Sequence, residues 1–298
     1  MARRFVPHDP RYAYRLTRAY SKAISEGLLD SSSKDEAVAQ VVRDFQEGMK
    51  NRSLFPEYLV GFALFLRSAV PRETMLPDPF RGRDPLLLSD EKVAQALFLG
   101  YQDHNIRSFA ATYYQYRGWQ HRSLALWRSI LMENRSETAP ILERCFNYYH
   151  NSSFLLEISP REKIEDLIYF QKVLNGAQQR GWEEKVYLKT LPLLIEKEEE
   201  VKGNAALLEA IGQTYEAAGE SRQAYLWYEK AFYFAPTRDA QASLLLASVN
   251  VLLQQGRLVE ARSLLQRHLD LSSVRKEILV QYAEISRQLG KREEAIEI

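Results

Sequence analysis

The sequence predicts an all-α chain built from antiparallel helical hairpins, on three observations. Between Ala205 and Thr237, apolar residues recur at helical spacing in two successive stretches separated by Gly219. The same glycine-then-alanine punctuation returns at Gly256 and Ala261, and again at Gly290 and Ala295. The rest of the chain reads as further helices punctuated by proline and glycine.

The N-terminal third is helical without that punctuation. Pro10–Leu29 places Tyr12, Leu16, Ala19, Ala23 and Ile24 on one face of a first helix. Ser33 followed by Glu36 has the form of a capping box for a second helix running through Met49. The hydrophobic stretch from Phe55 to Val70 is too short to span a bilayer and contains Glu57 and Arg67, so a buried helix is expected. Prolines at 71, 77, 79 and 85 exclude a regular helix and mark a loop or hinge. Ser89 is expected to cap a following helix that reaches about Gln102.

Hairpins follow. His104–Glu137 carries Ala110, Ala111 and Tyr114 before Gly118, then Ser123 and Trp127, with a connection short enough for antiparallel neighbours. Thr138–His150 is helical, but Asn151–Ile158 shows no obvious second helix; a decayed repeat and a lone packing helix both remain open. Leu167–Ile195 is a weaker hairpin, with Phe170, Val173, Leu174 and Ala177 before Gly181 and Trp182. Ser159-Pro160-Arg161-Glu162 is expected to open its first helix as a capping box with proline at the first helical position.

The clearest hairpin lies at 205–237. Leu208, Ile211 and Tyr215 share one helical face, and Ala224, Tyr228 and Ala231 share another. Gly212 and Ala224 are small where two helices would approach closely, and Gly219 suits a left-handed residue after the first helix. Pro236 ends the second. Next, Leu245, Val249 and Leu252 precede Gly256, and Ala261, Leu264 and Leu265 follow it. A last copy has Leu279, Tyr282 and Ala283 before Gly290. A single hairpin cannot bury its own apolar face, so stacked neighbours are required.

This pattern, Leu208-x₂-Ile211-Gly212-x₂-Tyr215, then Ala224-x₃-Tyr228, then Pro236, resembles the tetratricopeptide (TPR) repeat of about 34 residues. The resemblance covers residues 104–298, most clearly 205–237. It implies a right-handed α-solenoid of TPR-like hairpins with an N-terminal helical cap, whose first helices line a concave groove that holds protein or peptide partners. The expected organisation is an N-terminal helical region over 1–85, degenerate hairpins over 86–203, and TPR repeats over 204–298. On that frame, the groove face carries Gln171, Asn175 and Gln178, then Glu209, Gln213 and Glu216, then Asn250 and Gln254, then Glu284 and Arg287. TPR domains that hold chaperone C-termini use a clamp of lysine, arginine and asparagine. Here Asn250 and Arg287 are suitably placed, but Glu209 and Leu246 stand where that clamp would need lysine, so it is not expected.

Composition narrows function further. Among 298 residues, 46% are hydrophobic and 27% charged, as in a folded protein. Forty basic against thirty-nine acidic residues leave a net charge of +1, so no global field draws nucleic acid or membrane. The single Cys145 excludes an internal disulfide and a cysteine-based zinc site. The N-terminus lacks the apolar run of a secretory signal, which makes the cytoplasm the default expectation and leaves the Asn-x-Ser sites at 51, 134 and 151 without consequence.

The five histidines show no metal-ligand spacing, and no nucleotide loop or nucleophile elbow is present. The acidic run Glu196–Glu200 is expected to be a solvated face. A non-catalytic adaptor or scaffold without cofactor or metal is therefore expected. The alternative is a nucleic-acid- or anionic-membrane-associated regulator using the basic stripe Arg11, Arg15, Arg18 and Lys22. Because the last repeat stops at Ile298, further repeats or another subunit are expected beyond it.

Overall fold

The computed structural model describes residues 31–51, 55–68, 76–176 and 185–291, with single positions at 19, 22, 23, 26, 28, 70, 71, 74 and 182. Apart from those single positions, the expected first helix over 10–29 lies outside the described residues. So do Ala177, Gln178, Gly181 and the expected final helix around Ala295.

Among the described residues the protein is all-α, with fourteen α-helices, three short 3₁₀ turns and no strand. They are α1 (Ser31–Asn51), α2 (Pro56–Ser68), α3 (Pro85–Leu99), α4 (His104–Tyr116), α5 (Gln120–Glu133), α6 (Thr138–Tyr149), α7 (Leu155–Ile158), α8 (Ile164–Asn175), α9 (Leu191–Val201), α10 (Ala205–Ala217), α11 (Ser221–Phe234), α12 (Arg238–Gln254), α13 (Leu258–Arg267) and α14 (Glu277–Gln288). None of these helices is long and apolar enough to cross a membrane. The chain divides into two compact units, Met1–Ile130 and Leu131–Ile298, with the boundary inside α5.

In the first unit, α1 presents Val38, Val41, Val42 and Phe45 at helical spacing to a core shared with α2. Phe45 stacks on Phe62 with centroids 3.8 Å apart. Helix α2 is buried along most of its length, as its unbroken apolar run requires. Two expected caps move. Helix α1 begins at Ser31, two residues before Ser33. Helix α3 is capped by Asp84, whose carboxylate accepts from the Leu86 and Leu87 amides at 2.7 and 3.2 Å, with Pro85 in the first turn. Ser89 is instead buried inside α3 and donates to the Ala63 carbonyl at 2.8 Å, tying α3 to α2. The α4–α5 hairpin forms where the sequence places it. The buried Ser123 hydroxyl donates to the Ala111 carbonyl at 2.8 Å, tying α5 to α4.

After the end of α5 the second unit continues with α6 and the one-turn α7, where Leu155, Ile158 and the preceding Phe154 are completely buried. Ser159 does not open the next helix. Its hydroxyl turns back to the Leu155 carbonyl at 2.6 Å and closes α7, and α8 begins only at Ile164. The second helix of that weak hairpin also starts late, at Leu191, where Pro192 fits the first turn. Trp182, in the intervening segment, stacks on Phe146 at 4.6 Å. Cys145 is buried, and burial pushes its thiol up to about 12.

From α10 onward each helix packs on the next: α10 on α11, α11 on α12, α12 on α13, α13 on α14. Helices α10 and α12 each serve two cores. In α10, Leu207, Ala210 and Ile211 face α8 and α9, while Leu208 joins Ala224, Tyr228 and Ala231 of α11. In α12, Leu244 and Val251 complete that second cluster. Ala242, Leu245, Val249 and Leu252 pack instead with α13 and α14. The sequence pattern exposed only this latter stripe, because two apolar faces on one helix blur its periodicity.

One turn recurs through the hairpins. After α10, the Glu220 amide bonds the Tyr215 carbonyl at 2.9 Å, around Gly219 at φ +77°. The same bond joins Trp119 to Tyr114, Arg257 to Leu252 and Lys291 to Ser286. A Cβ on Gly219 would meet nothing within 4 Å, so glycine is required there by backbone conformation alone. Gly219→Ala should cost about 1 kcal/mol, read as a lower urea midpoint at unchanged slope.

The acidic run of α9 is not wholly solvated. Glu198 is 4% exposed, and Lys230 of α11 reaches it at 2.8 Å while lying over the Trp227 ring. The second carboxylate oxygen of Glu198 is buried without a hydrogen bond.

Candidate partner-binding face

Helices α8, α10 and α12 each pack against the helix that follows, α14 packs on α13, and side-chain contacts link α8 to α10, α10 to α12 and α12 to α14. Thr214 of α10 reaches the Asn175 side-chain oxygen of α8 at 3.3 Å. Gln254 of α12 reaches Glu216 of α10 at 3.4 Å, and Gln281 of α14 reaches Asn250 of α12 at 3.3 Å. These contacts are long, one for each pair of helices.

The residues expected on this face do not share one environment. Asn250, Gln254, Glu284 and Arg287 are exposed. Glu284 and Arg287 pair with each other at 2.8 Å, and bonds from Arg287 and Gln288 hold the Glu284 carboxyl down to about 2. Glu209, Gln213 and Glu216 are half-buried. Gln213 donates to Glu209 at 2.9 Å, and Glu216 accepts from the buried Tyr228 hydroxyl at 2.6 Å. Burial and this carboxylate push the Tyr228 phenol well above its ordinary range. Glu216 therefore anchors α11 against α10 as well as facing the neighbouring helix.

Gln171 departs from the expectation. It is fully buried, donating to the Tyr187 carbonyl at 2.9 Å and to Asn175 at 3.0 Å, while Thr190 donates to its oxygen. A buried amide with its groups satisfied internally presents nothing to a partner. Asn175 is half-buried beside it, its oxygen occupied and its amide nitrogen buried without a hydrogen bond. Gln178 lies outside the described residues. The network sequence reading missed consists of Tyr187, Thr190 and Thr214, all buried. The cue is a cluster of polar residues flanking apolar ones in a segment too irregular for a periodic pattern. Leu246, a position compared with the clamp lysine, packs against the core of α12–α14.

Arg11, Arg15 and Arg18 of the expected basic stripe lie outside the described residues, while Lys22 pairs with Glu26 at 3.7 Å. Among the described residues, no group of three or more histidine, cysteine or carboxylate side chains is placed to hold a metal ion. No protein family and no curated protein gives a match to this sequence.

Proposed function

We propose that the second unit is a non-catalytic, TPR-type interaction module. In this reading its hairpins wind as a right-handed α-solenoid, and the face shared by α10, α12 and α14 receives a protein or peptide partner. The observation that carries the reading is the set of Asn175–Thr214, Glu216–Gln254 and Asn250–Gln281 contacts, which link α8 to α10, α10 to α12 and α12 to α14. In this reading Glu209, Gln213, Asn250, Gln254, Glu284 and Arg287 belong to one surface, rich in amide and carboxylate groups that suit an extended or helical peptide. The recurring glycine turn and the small-residue contacts support it independently.

The test is a peptide selection from a random library with the full chain, followed by titration of the selected peptides. Glu209→Lys with Asn250→Ala should weaken them at least tenfold, while Arg222→Glu on the exposed side of α11 should not. Equal binding by both variants would sink the proposal. Neither Gln171 nor Glu216 should be used in such a test, because both hold the fold together. A peptide ending in Glu-Glu-Val-Asp should show no calorimetric binding, since an acid at Glu209 and an apolar, packed Leu246 replace the cations a C-terminal carboxylate needs. Micromolar binding of that peptide would overturn this expectation.

A further inference from the structure

In the first unit, arginines and aromatic rings interleave where α2, α3, α4 and the start of α5 meet. The Arg67 guanidinium lies 4.7 Å from the Tyr116 ring centre and 5.4 Å from that of Tyr113. Arg122 lies 4.9 Å from Trp119 and 6.0 Å from Tyr114, and Arg117 lies 5.2 Å from Trp119. Arg117 and Arg122 thus share one indole, which places their guanidinium carbons within about 10 Å of each other.

The framework beneath is fixed. Asp90 takes Arg117 in two bonds of 2.8 and 2.7 Å and accepts from the Tyr113 hydroxyl at 2.6 Å, while Tyr113 also bonds Ser89 at 2.9 Å. Asp90 is thereby committed to Arg117. Arg67 and Arg122 have no acidic partner among the described residues; rings alone orient them. Holding two uncompensated guanidiniums in place removes rotamer entropy before any ligand arrives, and guanidinium is the group best matched to a phosphate oxyanion. Tyr116, with Arg67 behind it, remains 58% exposed.

We propose that this surface binds single-stranded nucleic acid, with Arg67 and Arg122 contacting phosphates and Tyr116 stacking on a base. The exposed ring decides between ligands: a phosphopeptide would engage the arginines and leave Tyr116 idle, whereas an unstacked base uses both. The site lies wholly in the first unit and does not depend on the peptide-binding reading of the second.

The probe is a short fluorescein-labelled uridine oligonucleotide titrated with the full chain by anisotropy over a range of salt. Binding should weaken with salt. Arg67→Gln with Arg122→Gln should reduce the slope of log affinity on log salt by about 1.4, at roughly 0.7 per lost phosphate contact on a single strand. Tyr116→Ala should weaken binding about tenfold with the slope unchanged. Should the double variant misfold, Arg122→Gln alone, at an exposed position, should still reduce the slope by about 0.7. No binding by the native chain, an unchanged slope in these arginine variants, or binding of a phosphoserine peptide but not the oligonucleotide would each overturn the proposal.

Discussion

Gly212→Ala is expected to destabilise the second unit by about 1–3 kcal/mol, although alanine is intrinsically the better helix former by about 1 kcal/mol. A Cβ at 212 would lie 2.8 Å from both Cδ1 and Cε1 of Tyr228. Tyr228 cannot swing aside: its ring is buried and its hydroxyl is tied to Glu216 at 2.6 Å. Tyr228→Ala alone should cost about 3–5 kcal/mol, the usual result of emptying a buried aromatic site. The two losses should not add. With the ring gone, the alanine methyl occupies part of the vacated space, and Gly212→Ala in that background should be neutral or stabilising. Urea unfolding of the four proteins measures this as a double-mutant cycle. A coupling energy near zero would mean that Gly212 and Tyr228 are not in contact.

Lys230→Met is expected to cost on the order of 3 kcal/mol, a large effect for a lysine whose side chain is 44% exposed. The cost arises on the other partner. Glu198 is buried with Lys230 as its ion-pair partner, and beyond that it receives only a long 3.4 Å approach from the Gly203 amide. Removing the cation strands a buried carboxylate, whereas methionine keeps an apolar stem near Trp227. Adding Glu198→Gln should recover most of the loss, because a neutral amide is far cheaper to bury than an unpaired charge. If the double variant is no more stable than Lys230→Met, charge burial is not the cause.

These two sites bear on what the amino-acid order discloses. The α10–α11 hairpin was legible because its signals are local: Gly212 and Ala224 mark the close approach, Gly219 the turn, and Pro236 the end just after Phe234. The second face of α12 was not, since Leu244 and Val251 fill the gaps in the stripe of Leu245, Val249 and Leu252 and flatten the pattern. Polar residues misled most. Gln171 and Glu198 read as solvent-facing by type, yet each is buried with partners 16 and 32 residues away in the chain, Tyr187 and Lys230. Long-range pairing of that kind leaves no spacing rule to find. Ser159 failed for the opposite reason, because two neighbouring helix ends competed for one hydroxyl and the earlier one took it.

The double service of α10 and α12 has a consequence for how the second unit comes apart. In arrays of helical hairpins, stability is the sum of each repeat's own term and the coupling across each junction. Here the junction residues Leu208, Leu244 and Val251 sit on the same helices that build the flanking clusters. Losing one hairpin therefore strips a wall from the next cluster. Heat or denaturant should remove α8 to α14 in one cooperative step, with no stage at which a single hairpin peels away and leaves its neighbours intact.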